Sequence, residues 1–146
     1  MYEVLIPVDG DENRAVHQAR YVAGLPNAAA DVTATVLYVV PPGELDTADE
    51  VAFAEVDAAV AAAELLEEHD VAVERVVEDG SASEEIVRTA AELDSDELVV
   101  GGRKRSGVAQ VLLGSTTQDV FRSTERPVTV TGAGMVFGDG RRQVLL

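Results

Sequence analysis

The stretch Glu97-Leu-Val-Val-Gly-Gly-Arg-Lys-Arg-Ser-Gly-Val-Ala-Gln-Val-Leu-Leu-Gly-Ser-Thr-Thr117 decides how this chain is to be read. It opens with a short apolar run, Glu97 to Val100, that suits a buried strand entering Gly101-Gly102. A basic, glycine-containing loop follows from Gly102 to Leu113. Gly114-Ser115-Thr116-Thr117 then opens a helix to about Ser123, and Pro127-Val-Thr-Val-Thr131 reads as a further strand. A strand that feeds a helix through a glycine loop is half of a βαβ unit. At such a helix start, unbonded N–H groups and the positive end of the helix dipole favour an anion, glycine lets a phosphate approach the backbone, and hydroxyls add hydrogen bonds. The loop is not a Walker A sequence, because no Gly-Lys-Ser/Thr follows four residues after a glycine, and it is not Gly-x-Gly-x-x-Gly.

Upstream of this stretch the same alternation recurs. Tyr2-Glu3-Val4-Leu5-Ile6-Pro7-Val8 is a short apolar segment that stops at Asp9-Gly10-Asp11-Glu12, a first strand. From Glu12 to Leu25, Ala15, Val16, Ala19, Val22 and Ala23 recur at helical spacing and Gly24-Leu25-Pro26 ends the helix. Asp31 to Val40 is rich in β-branched residues and halts at Pro41-Pro42, a second strand. Ala48 to His69 is alanine-rich, with Phe53, Val56, Val60, Ala63 and Leu66 three or four apart, and predicts one long amphipathic helix. Val71 to Val77 predicts a third strand, Glu78-Asp79-Gly80 a turn, and Ser81 with Glu84 a capping box ahead of a helix to about Leu93.

Continuously apolar strands alternating with helices predict an α/β fold, a doubly wound five-stranded parallel sheet in the order 3-2-1-4-5, Rossmann-like, with helices on both faces. A ligand in such a sheet sits beyond the carboxyl ends of the strands where the order reverses. That places it after the first and fourth strands, at Asp9-Gly10 and at Gly101 to Ser115.

Bulk properties narrow the function. The 146 residues fit one domain over residues 1–131, with a tail over 132–146 whose expected role is in oligomer contacts. A formal charge of -16, from 27 acidic residues against ten arginines and the single lysine Lys104, argues against nucleic acid as a partner. The acidic, alanine- and valine-rich, lysine-poor composition points to a halophile whose self-repulsion is screened by concentrated salt. Without cysteine, disulfides and thiol chemistry are excluded. No apolar run approaches the ~20 residues of a membrane span, Met1 to Val8 lacks the basic start of a secretory signal, and the expected location is cytoplasmic.

Taken in order, Pro7-Val8-Asp9, the loop from Gly101 to Gly114-Ser115, and Pro127-Val128-Thr129-Val130 resemble the universal stress protein family. Its first strand ends in Pro-x-Asp, its fourth runs into Gly-x2-Gly-x9-Gly-Ser/Thr, and it closes with Pro-Val-x-Val. The resemblance covers about residues 2–131. It implies an adenine-nucleotide-binding regulatory protein of the stress response, with ATP or AMP as ligand and Mg2+ arriving with the triphosphate. By the same resemblance Pro7, Val8, Asp9, Val39 and Val100 hold the adenosine end, while Gly101, Arg103, Lys104, Gly114, Ser115, Thr116 and Thr117 meet the phosphates. Lys104 stands where the family pattern has its second glycine. It either adds a charge to the phosphates or obstructs the loop conformation that glycine allows.

Two rival readings follow from the resemblance: a member that has lost nucleotide binding and serves as a dimeric interaction scaffold, and a slow ATPase or a protein that phosphorylates itself at a hydroxyl such as Ser115. No nucleophile, base and orienting group can be placed together, so no catalytic residue is assigned. Asp9 also reads as a turn residue or helix cap, Ser115 as an N-cap, and Val39 and Val100 as core. His17 and His69 lack partners at ligand spacing, so no metal site is expected. The carboxylates of Glu64, Glu67, Glu68 and Asp70 read as a wet face. Edge strand Pro127 to Thr131 is expected to pair with a second copy in a homodimer, and the protein partner is unidentified.

Overall fold

The computed structural model describes residues 1–42, 52–104 and 111–132. The sheet strands are β1 (Tyr2–Val8), β2 (Val32–Val40), β3 (Ala72–Asp79), β4 (Glu97–Gly101) and β7 (Val128–Thr131). Their order is β3-β2-β1-β4-β7, all parallel. This is the expected 3-2-1-4-5 order, with the chain's winding reversed between β1 and β4. A two-stranded antiparallel hairpin, β5 (Arg103–Lys104) with β6 (Val111–Leu112), sits between β4 and the last strand. The sequence predicts a loop over Gly102 to Leu113, and the hairpin strands fall within it.

The central strands β1, β2 and β4 are largely apolar on both sides because both faces are covered, whereas β3, at the edge of the order, carries Glu74, Arg75 and Glu78. On one face Val4, Ile6 and Val8 of β1 and Val99 of β4 pack with α1 (Glu12–Ala23) and α3 (Asp57–Glu68) through Ala15, Ala19, Val22, Ala59, Ala63 and Leu66. The small alanines let the two helices approach the sheet and each other closely. On the other face Leu5, Leu37, Val39 and Leu98 pack with α4 (Ala82–Glu92) and α5 (Ser115–Ser123) through Ile86, Ala90 and Val120. Alternation along β1 therefore feeds two separate cores.

Several local expectations change. The helix expected from Ala48 begins at Asp57, behind a 3-10 turn at Phe53–Glu55, because Val56 is extended (φ -102, ψ 99) and breaks the run. Its first part, residues 48–51, lies outside the described residues, as does the tail over 133–146. Asp31 belongs to a four-residue helix α2 (Ala28–Asp31), entered through Asn27 in the left-handed region, so β2 starts one residue later. Strand β3 extends to Asp79, and the turn falls on Gly80 at φ +128, where glycine is the residue that fits without strain. Ser81 does occupy the N-cap of α4, but its side chain makes no capping hydrogen bond.

Candidate functional site

A cavity of about 370 Å³ opens at the carboxyl ends of the strands, where the sheet's winding reverses. That is within the range of small-molecule sites, roughly 300–1,000 Å³. Its wall on one side is the end of β1 and β2, at Pro7, Val8, Asp9 and Val39; its back is Val100 and Gly101 of β4. Opposite stand Gly114, Ser115, Thr116 and Thr117, with Ile86 and Val120 supplying apolar surface from the second face. Ten of the twelve residues expected at a nucleotide site thus converge on one cavity; the side chains of the other two, Arg103 and Lys104, lie outside the described residues.

The first half of the rim is an ordered turn. Asp9 Oδ1 accepts from the Asp11 amide at 2.8 Å, and Asp11 Oδ1 caps α1 by accepting from the Arg14 amide at 2.9 Å. The helix cap is therefore Asp11, while Asp9 is the turn residue. Arg14 donates to Asp9 Oδ2 from Nη2 at 2.8 Å and from Nε at 3.2 Å, with Asp11 Oδ2 at 3.5 Å. An ion pair this exposed adds little stability. Its consequence is orientation, since Asp9 is held from both oxygens at the edge of the cavity.

The second half is the start of α5. Gly114 occupies the N-cap (φ -70, ψ 166) without a side-chain cap, and Ser115 is the first helical residue, not the cap. The first-turn N–H groups of any helix lack intrahelical partners. Helices α1, α3 and α4 each carry a carboxylate in the first turn, at Glu12, at Asp57 and at Glu84 with Glu85, whereas α5 has no acidic residue there. In so acidic a chain this is the one long helix whose positive end is left uncompensated among the described residues. It faces the cavity.

Gly101 ends β4 between these halves. The reason for glycine here is space: a Cβ would lie 3.1 Å from Arg14 Cδ and 3.2 Å from Gln18 Oε1. Arg14 and Gln18 also line the cavity, and neither was anticipated. A signal for Gln18 existed. It stands in the buried stripe Ala15, Gln18, Ala19, Val22 of α1, and a polar residue at a core position of an otherwise apolar stripe calls for partners.

Elsewhere, His17 and His69 place Nδ1 2.8 Å from the carbonyls of Asn13 and Leu65, one turn back on their own helices. Among the described residues no cluster of three or more potential metal ligands occurs. Glu67 pairs with Arg75 at 2.6 Å on the surface, consistent with a solvated face. No helix among the described residues is long and apolar enough to cross a membrane.

A parallel, doubly wound sheet with a cleft at its switch point defines the class: a Rossmann-like α/β domain. Within it, the universal stress protein family model matches residues 1–132. The chain belongs to the universal stress protein family. None of the curated proteins matches at a significant level. Among solved structures, the universal stress protein from Archaeoglobus fulgidus superposes with a TM-score of 0.72 at 22% identity, covering 90% of this chain and 98% of that one. The same organism's protein in complex with dAMP gives 0.66 at 19%, with 90% and 98% covered. An Arabidopsis thaliana family protein with AMP bound gives 0.66 at 15%, with 96% and 99% covered. At these identities the likeness establishes the shared fold.

Proposed function

We propose that the cleft binds an adenine nucleotide, ATP or AMP, and that the protein acts as a nucleotide-dependent regulator of the stress response. The observation that carries the reading is the uncompensated start of α5 opening onto a cavity whose opposite wall is apolar at Pro7, Val8 and Val39, with Asp9 at its edge. The base rests against Val8, Val39 and Val100, and Asp9, held by Arg14, accepts from the ribose or the base edge. The phosphates lie on the amides around Gly114 and the hydroxyls of Ser115, Thr116 and Thr117, with Gly101, Arg103 and Lys104 on the other flank. A triphosphate brings its own Mg2+. Family structures of other proteins with dAMP and AMP bound support the choice of adenine.

Calorimetric titration with AMP and with ATP-Mg in molar salt tests this, and one saturable site per chain is expected. Gly114→Asp is the discriminating variant. A carboxylate at the N-cap completes the helix but puts negative charge where phosphate belongs, so ATP affinity falls at least about tenfold while thermal stability holds or rises. Unchanged affinity in that variant sinks the phosphate assignment. The scaffold alternative is favoured by Lys104 at the second glycine position of the family pattern, and the absence of any saturable binding supports it.

Two companion proposals rest on charge and topology. The formal charge of -16 suits a protein of concentrated salt, and its melting temperature is expected to climb as salt rises; a flat response refutes this. Among the described residues strand β7 lies at the sheet edge, paired with β4, and homodimerisation through it is expected, measurable as a dimer mass by light scattering. A monomer at all concentrations contradicts it.

A further inference from the structure

Gln18 is 2% exposed, and an amide buried that far is costly unless its polar groups are matched. Its Nε2 donates to Pro7 O at 2.7 Å and to Val99 O at 2.9 Å, two carbonyls on the neighbouring strands β1 and β4. Direct pairing of β1 with β4 stops at Val4 with Glu97 and Leu5 with Leu98. Pro7 has no N–H to continue it, and the glutamine side chain bridges the gap instead. Two acceptors on one side settle which end of the amide is nitrogen. With both amide protons committed, the only polar atom the side chain has left for a ligand is Oε1. That oxygen lies 3.2 Å from where a Cβ on Gly101 would stand, in a side chain that lines the cavity.

We propose that Gln18 Oε1 accepts a hydrogen bond from a sugar hydroxyl of the ligand, so that the site prefers ribonucleotides over their deoxy analogues. The inference rests on the nucleotide reading of the cleft. With the base against Val39 and the phosphates at Ser115, the sugar falls between them, over Gly101. Oε1 has no proton of its own, so the ligand must bring the donor. A deoxy analogue offers carbon-bound hydrogen there and leaves a desolvated acceptor unmatched, the situation in which polar sites discriminate best. Arg14, one turn earlier on α1, is turned toward Asp9 at 2.8 Å.

The test is titration of the intact protein with AMP, 2'-deoxy-AMP and 3'-deoxy-AMP. The expected result is that at least one deoxy analogue binds about tenfold more weakly than AMP. In Gln18→Met that ratio collapses toward one, whereas a merely structural role weakens all three ligands alike and leaves the ratio intact. Equal affinities for the three ligands in the unaltered protein overturn the inference while the nucleotide reading stands; if none of the three binds, both fall. The unaltered protein alone decides the matter should Gln18→Met fail to fold.

Discussion

Opposite ends of the sheet each hold a buried polar side chain that ties strands together, and the two are completed differently. At the amino end, Glu97 is 5% exposed. It accepts from Tyr2 Oη at 2.8 Å, from Tyr21 Oη at 2.9 Å and from the Thr129 hydroxyl. Donors from β1, α1 and β7 thus converge on one carboxylate of β4, and nearby Asp96 Oδ2 accepts from the Glu3 amide at 2.8 Å. At the carboxyl end, Gln18 also bridges β1 and β4, but its amide oxygen borders a cavity. A polar group satisfied by its own chain closes a structure. One left with a lone pair beside open volume is fitted to something else.

This difference separates stability from binding, and three perturbations sharpen or break it. The largest effect is expected from Glu97→Ala, which strands three hydroxyl donors and opens a hole. We predict a loss of roughly 2–3 kcal/mol in denaturant unfolding, with AMP affinity unchanged. An accompanying loss of affinity breaks the separation. The converse variant is Gly101→Ala, whose added methyl presses on Arg14 and Gln18. Affinity should fall about 3- to 10-fold with less than about 1 kcal/mol of destabilisation, and a large drop in melting temperature instead counts against the division.

Smallest is the alkaline response. Burial, then the hydrogen bond to Glu97 and its charge, push the Tyr2 phenol up from 10.0 to about 12. Burial and the Glu97 hydrogen bond also raise Tyr21, opposed by Thr129. A phenol whose proton is held more tightly in the folded state stabilises fully below its unfolded value and loses that contribution as pH climbs through the folded one. Stability should therefore decline between about pH 10 and 12. Because Tyr2 is 40% exposed, solvent screening keeps its share below about 1 kcal/mol. Tyr2→Phe flattens this slope, and an unchanged slope shows that other groups produce it.

Much of this was legible in the sequence because the governing signals are local. Apolar runs such as Tyr2 to Val8 and Val32 to Val40 mark strands buried on both faces, and the intervening helical spacing dictates crossovers, from which the sheet order follows. The cleft was legible through Asp9 and the Gly114 to Thr117 segment, since a switch point and a helix start are both readable. Hairpin β5–β6 was not, for two residues per strand carry no periodicity. The Glu97 cluster was hidden for a different reason: its donors lie 95, 76 and 32 residues away, and only the fold brings them together. Gln18 fell between these cases, visible as a polar residue in a buried stripe but meaningless until Pro7 and Val99 were seen beside it.

The most direct measurement is a crystal structure of the protein grown in molar salt with saturating AMP. The account predicts nucleotide in the cleft, its phosphate on the amides that follow Gly114 and its base against Val39. A cleft that remains empty of nucleotide under saturation, or a phosphate bound away from the start of α5, contradicts it.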